Sequence, residues 1–211
     1  MVVVDLPGHG SSPPIRDVTV ANVARAVERA LEERHVKGAL LVGHSYGGWV
    51  ALEAAAANPK RAAGVVVLDI GAYTPVDTAR TAPLERYLRD RYASLIRVIY
   101  EHMSIDPVEG DSAFVRAMRL DPEVLGAYFR DSWRGDMRDR IRNLTVPVHV
   151  IATSAAWPAS QSWEDARARA GYATKGDVVG HRIDGSGHLL MRDRPDTLAT
   201  ILEGIASTLR R

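Results

Sequence analysis

The stretch Leu41-Val42-Gly43-His44-Ser45-Tyr46-Gly47-Gly48-Trp49 decides how the rest of the chain is read. Apolar Ala39–Val42 precedes the turn and alanine-rich Val50–Ala57 follows it, so the segment reads as strand, tight turn, helix. At its centre is Gly-x-Ser-x-Gly, with Ser45 in the middle. In a nucleophile elbow, the serine occupies a sharp strand-to-helix turn with strained backbone angles, and its hydroxyl stands above the sheet. Gly43 and Gly47 are expected there because a side chain at either position would meet the neighbouring strand or helix. The first N–H groups of the following helix, beginning with Tyr46, are aimed at the same space. A five-residue pattern also recurs by chance as an ordinary glycine turn, and the flanking strand and helix give this one its weight. A serine hydroxyl is a weak nucleophile at neutral pH, so the rest of the chain has to supply a base.

Working outward, the chain alternates. Met1–Asp5 is a continuous β-branched run and reads as a buried parallel strand, followed by the punctuated turn Leu6–Pro14. Val18–Arg34 carries Val20, Val23, Ala24, Val27, Ala30 and Leu31 at helical spacing, with Asp17 or Thr19 as its cap. Gly64–Asp69 is a third buried strand, after a stop at Asn58-Pro59. Strands joined by helices through short connections give an α/β fold with a mostly parallel sheet flanked by helices. From Pro83 to Leu144 no strand-like run occurs; helices are predicted near Leu84–Met103, Ser112–Leu120 and Pro122–Trp133. Strands return at Val146–Ala152 and Val178–Ile183, and an amphipathic helix over Pro195–Leu209 closes the chain.

The bulk composition narrows the function classes. At 211 residues the chain supports one large core, with room for an insertion. Lys+Arg 27 against Asp+Glu 26 leaves a net charge of +1, which gives no footing for nucleic acid or an anionic membrane as partner. The arginines between Arg130 and Arg142 alternate with aspartates, as on a solvated ion-pair face. With no cysteine, disulfides, zinc–thiolate sites and a thiol nucleophile are excluded together. No signal-peptide pattern and no apolar run of spanning length is present, so the expectation is a soluble, cytoplasmic protein. No Walker loop, dinucleotide fingerprint or His-x-x-x-His pair occurs, so neither metal nor organic cofactor is expected.

The last strand runs into Asp184-Gly185-Ser186-Gly187-His188. A histidine in a glycine-rich loop between the final strand and the closing helix can reach back to the elbow, so His188 is the candidate base. His44 borders the serine but is expected to face away and pack.

Asp5-Leu-Pro-Gly-His-Gly10, Gly43-His-Ser-Tyr-Gly-Gly48 and Gly187-His188, in that order, resemble the α/β-hydrolase superfamily. The resemblance covers the whole chain. It implies a hydrolase core over residues 1–82 and 145–211 and a helical cap over 83–144. A serine rather than an aspartate at position 45 sets the chain apart from the haloalkane dehalogenases and epoxide hydrolases of that fold. Many members carry the triad acid after the strand that follows the cap, yet here the next carboxylates are Glu164 and Asp165, in a helical stretch. Other members carry it at the end of the strand after the nucleophile helix, which is Asp69 here, and that position is preferred. The cap's aromatic and methionine side chains imply an apolar cavity, with Tyr73, Trp133 and Trp157 as candidate wall residues.

The start of the chain departs from the family pattern. Members have further strands before the one equivalent to Val2–Asp5, and the loop after one of them supplies half of the oxyanion hole. Without that strand, Val2–Asp5 is expected to pair directly with Ala39–Val42, giving five parallel strands in sequential order. The exposed Val2–Asp5 edge would then invite homodimerisation. The loop Pro7–Ser12 would shift toward the elbow, where an N–H of His9 or Gly10 stands in for the lost donor. The resulting expectation is a serine hydrolase of small apolar esters or related acyl compounds, working through Ser45, His188 and Asp69. The alternatives are perhydrolysis, acyl transfer or C–C cleavage on the same residues, or a catalytically silent binding protein with a weakened oxyanion hole.

Overall fold

The computed structural model describes residues 1–74 and 78–209. Four strands, β1 (Ala39–His44), β2 (Ala62–Leu68), β3 (Val148–Thr153) and β4 (Val179–Ile183), form one sheet in the order β1-β2-β3-β4. All three pairings are parallel, with Leu41 opposite Val65, Val66 opposite His149 and Ile151 opposite His181. Because side chains alternate along a strand, the sheet has two apolar faces. Val65, Val67, Val148 and Val150 pack with Trp49, Leu52, Ile141 and Tyr172, whereas Val66, Leu68, Ile151 and Ile183 pack with Leu198 and Ile205.

Helix α1 (Val20–Glu33) begins where Thr19 Oγ1 accepts the Asn22 N–H at 3.2 Å. Its buried face, Val23 and Ala24, lies on Val50 and Ala54 of α2 (Tyr46–Ala57). Between β2 and β3 runs a purely helical insertion: α3 (Thr78–Asp90), α4 (Tyr92–Tyr100), α5 (Pro107–Ala117), α6 (Pro122–Ser132) and α7 (Arg138–Arg142). The single helix expected over Leu84–Met103 is two, broken at Arg91, whose ψ of 38° leaves the helical region. Asp106-Pro107 and Asp121-Pro122 each start a helix by the same local chemistry. The aspartate accepts an N–H of the first turn, at 2.9 and 2.8 Å, and the proline fills a position whose own N–H would have no partner. Arginines 130, 134, 138, 140 and 142 are ion-paired to carboxylates, as their alternation with aspartates suggested. Helix α8 (Trp163–Arg169) precedes β4; the single turn α9 (Leu190–Asp193) and α10 (Pro195–Leu209) follow it. Among the described residues, no helix is long and apolar enough to cross a membrane.

The expected strand Val2–Asp5 does not form, and the sheet has four strands rather than five. Val3 is 81% exposed, and it makes no ladder bonds to β1. A β-branched run becomes a strand only when a neighbour completes its hydrogen bonds. Here the chain instead folds on itself just beyond: the His9 N–H donates to Leu6 O at 2.9 Å and the Ser12 N–H to His9 O at 2.9 Å. The Tyr128 hydroxyl then pins this loop through Pro7 O, at 2.8 Å. The edge of the sheet on this side is therefore β1, not Val2–Asp5.

Candidate active site

All the expected reacting groups lie at the carboxyl ends of the strands: Ser45 after β1, Asp69 after β2 and His188 in the loop after β4. That rim is where open parallel sheets bind ligands.

Ser45 has φ 51° and ψ −127°, a strained combination for a residue with a side chain, costing about 1–3 kcal/mol. The turn is held by the Ser45 N–H to Leu68 O at 2.9 Å and the Gly48 N–H to Ser45 O at 2.7 Å. A Cβ at position 43 would lie 2.0 Å from Gly47 O, so Gly43 leaves room for the helix backbone. Gly47 is a correction to the sequence reading, because an added Cβ there meets nothing within 4 Å. The second glycine needed for space is Gly48, where a Cβ would sit 2.8 Å from Val67 Cγ1. Among the described residues, the N–H groups of Tyr46 and Gly47 have no acceptor, as befits the first turn of α2.

Asp69 is the carboxylate that meets His188. Its Oδ2 accepts from His188 Nδ1 at 2.8 Å, and its Oδ1 accepts the Thr153 N–H at 2.8 Å. The side chain is 8% exposed. Burial alone would raise its pKa, but the bonds from His188 and Thr153 outweigh burial and hold it below the ordinary carboxylate value. Asp69 has φ 50°, so its backbone too is bent out of the strand to reach this position. The last residue of β3, Thr153, contributes a backbone donor rather than an acid. Asp165 is held by Ser162 at the start of α8.

The loop bearing His188 is fastened to the helical insertion. The Leu189 N–H donates to Met103 O at 2.7 Å, and Asp193 accepts the Gly187 N–H at 2.7 Å and the Ser104 hydroxyl. Arg192 grips Glu109 with two bonds, at 2.9 and 3.1 Å.

The sequence reading missed His44. Far from facing away, its ring lies 4.4 Å from that of His188 and its Nε2 bonds to His188 O at 2.8 Å. Burial, then the neighbouring His188, pushes its pKa down to about 4, so it stays neutral and donates that bond. The available signal was position: the last residue of a strand at this rim stands beside whatever loop crosses it.

Above Ser45 is a cavity of about 480 Å³, walled by both the core and the insertion. Leu6, Ile70, Leu125, Phe129 and Trp133 make it largely apolar. Trp157 does not reach it; its ring packs 5.0 Å from that of Trp163 and its N–H goes to Gln161 O. Tyr73 is elsewhere too, beneath the Arg138 guanidinium. Tyr46 lines the cavity with its ring, and its hydroxyl donates to Asp131 at 2.7 Å. Asp131 also accepts the Val20 N–H at 2.9 Å, tying insertion, elbow and α1 together. His9 lines the cavity edge-on to Tyr128, but its N–H is committed to Leu6 O. Gly10 is not among the residues that line the cavity, and the Asp5 carboxylate occupies the space a Cβ there would take. Neither therefore stands as the substitute oxyanion donor.

Comparison with known proteins agrees with this architecture. Over 77 residues the chain is 42% identical to the dihydrolipoyllysine-residue acetyltransferase component of an acetoin cleaving system from Cupriavidus necator, covering 36% of this chain and 19% of that protein. Over 65 residues it is 40% identical to lipase LipV of Mycobacterium tuberculosis, covering 31% and 25%. The matched stretches thus span only a minor part of these curated relatives. The solved structure of the enol-lactonase from Burkholderia xenovorans superposes with a TM-score of 0.80 at 18% identity, covering 96% of this chain and 79% of that one, a likeness of fold. Residues 1–201 match the model of the alpha/beta hydrolase family, and the chain belongs to that family.

Proposed function

We propose that the protein is a serine hydrolase of uncharged carboxylic esters or related acyl compounds, with Ser45 as nucleophile, His188 as general base and Asp69 as the group that orients it. The observation that carries this reading is the 2.8 Å contact between Asp69 Oδ2 and His188 Nδ1, at the rim that also bears the strained Ser45. Because an ionised carboxylate only accepts, the contact puts the imidazole proton on Nδ1 and leaves Nε2 free to take the Ser45 proton. Attack on a carbonyl places negative charge beside the start of α2, where the uncommitted N–H groups of Tyr46 and Gly47 favour it. The protonated His188 then gives its proton to the leaving alcohol, and water releases the acyl group by the same steps in reverse order. The insertion acts as a cap whose apolar wall favours apolar acyl or alcohol groups.

A fluorophosphonate probe tests the reading directly. Mass spectrometry is expected to locate the adduct on Ser45, and Ser45→Ala and His188→Ala each to remove it. A folded wild-type protein that stays unlabelled would support a silent binding protein instead.

A further inference from the structure

The hydrogen-bonding groups around the cavity are nearly all spoken for. The Tyr46 hydroxyl is given to Asp131, that of Tyr128 to Pro7 O, that of Thr74 to Ser132 O and that of Ser132 to Phe129 O. Apart from Ser45 and His188 themselves, and the second ring nitrogens of His9 and His44, two side-chain groups remain without a partner among the described residues. They are the phenol of Tyr100, the last residue of α4, and the indole N–H of Trp133, just after α6. Both line the cavity from the insertion, and among the described residues no Lys, Arg, Asp or Glu lines it. Burial, and next the neighbouring Tyr92, raise the pKa of the Tyr100 hydroxyl above the ordinary tyrosine value. It is therefore a donor in a partly dried site. An alkyl chain filling the cavity would strip water from this donor and give nothing back, which costs about 1–3 kcal/mol. A carboxylate would find no cation among the described residues that line the cavity, which is costlier still.

Building on the hydrolase reading, we propose that Tyr100 is a specificity-determining residue. It donates a hydrogen bond to an uncharged acceptor oxygen, such as a ketone, ether or hydroxyl, that the substrate carries away from its scissile carbonyl. The preferred substrates are thus neutral, oxygen-bearing acyl esters rather than plain alkyl ones. A site built to pair a polar group discriminates against the analogue that lacks it, because its own group is then left unpaired.

The test uses p-nitrophenyl hexanoate with its 3-oxo, 4-oxo and 5-oxo analogues, and pentyl butyrate with 3-oxopentyl and 4-oxopentyl butyrate. Each ketone replaces one methylene at constant length. At least one oxo ester is expected to be favoured in kcat/KM by wild type, and Tyr100→Phe to lower that oxo-to-alkyl ratio about tenfold. Comparing ratios between the two proteins cancels the intrinsic reactivity of the esters. The p-nitrophenyl monoester of adipate is expected to gain nothing from Tyr100. Equal losses on oxo and alkyl esters would assign Tyr100 a packing role and overturn the proposal, as would a ratio that Tyr100→Phe leaves in place. If no ester is turned over, the hydrolase reading fails by itself. The subsite is then judged by the same ratio in the binding of hexanamide and its oxo analogues, followed by tryptophan fluorescence.

Discussion

Asp69→Asn changes one atom in size and reverses the logic of the site. The wild-type carboxylate accepts twice, from the Thr153 N–H and from His188 Nδ1, each at 2.8 Å. An asparagine can serve only one of these donors with its carbonyl. If it keeps Thr153, its NH2 faces His188 and Nδ1 must become the acceptor. The proton then sits on Nε2, and the imidazole can no longer take one from Ser45. The flipped amide would set NH2 against the Thr153 N–H and leave a buried donor unpaired, a cost of about 1–3 kcal/mol. The unproductive tautomer is therefore the stable one. The expected loss is about ten-thousand-fold in kcat, or about 5 kcal/mol of transition-state stabilisation. The assay is p-nitrophenyl butyrate hydrolysis, with unfolding by urea to show that the variant keeps its fold. Asp165→Asn, which touches only Ser162, serves as the control and should do little. If Asp69→Asn keeps more than about a tenth of wild-type turnover, the carboxylate does no more than cap Thr153 and the tautomer argument is refuted.

The elbow glycines should separate in stability. Gly43→Ala drives a Cβ to 2.0 Å from the Gly47 carbonyl oxygen and should cost more than about 4 kcal/mol, or prevent folding. Gly47→Ala meets nothing within 4 Å and should shift stability by no more than about 1 kcal/mol. Chemical denaturation of the two variants decides it, and equal effects would contradict the assigned packing. His44 should make the fold acid-sensitive. Its pKa falls on folding from 6.5 to about 4, so the unfolded chain binds the extra proton. This contribution is complete above pH 6.5 and is lost as pH falls through 4, about 3 kcal/mol in all. His44→Gln keeps a side-chain N–H for His188 O but does not titrate. Between pH 7 and 4, urea midpoints should show wild type losing about that much more stability than the variant, and parallel losses would refute the assignment.

Much of the core was legible because its signals are local. A β-branched run with helices on both sides gave β2 and β3, and Thr19 followed by apolar spacing gave α1. Ser45, with its glycines, and Asp69, at the end of a strand, sit where chain order alone places them on one rim. The errors concern partners. Val2–Asp5 has the composition of a strand but no neighbour to hydrogen-bond, and composition does not reveal neighbours. Trp157 and Trp133 are alike as residues, and only the packing of α8 turns one onto Trp163 while α6 carries the other to the cavity. His44 was misjudged for the same reason, since its direction is set by a loop far along the chain. The replacement oxyanion donor sought at His9 and Gly10 assumed a displaced loop, whereas Tyr128 holds that loop where the His9 N–H serves its own turn and Gly10 does not line the cavity.

The fastening of the His188 loop to residues 103–109 makes the roof of the cavity and the position of His188 a single mechanical joint. Met103 lines the cavity, and its carbonyl also secures Leu189, next to His188. Raising this part of the roof to admit a ligand must first release Leu189, the Asp193 bonds and the Arg192–Glu109 fork. His188 would keep its bonds to Asp69 and His44, while the rest of its loop would lose its brace. On the hydrolase reading proposed above, a ligand too bulky for the roof as it stands would have to break this joint before it could bind.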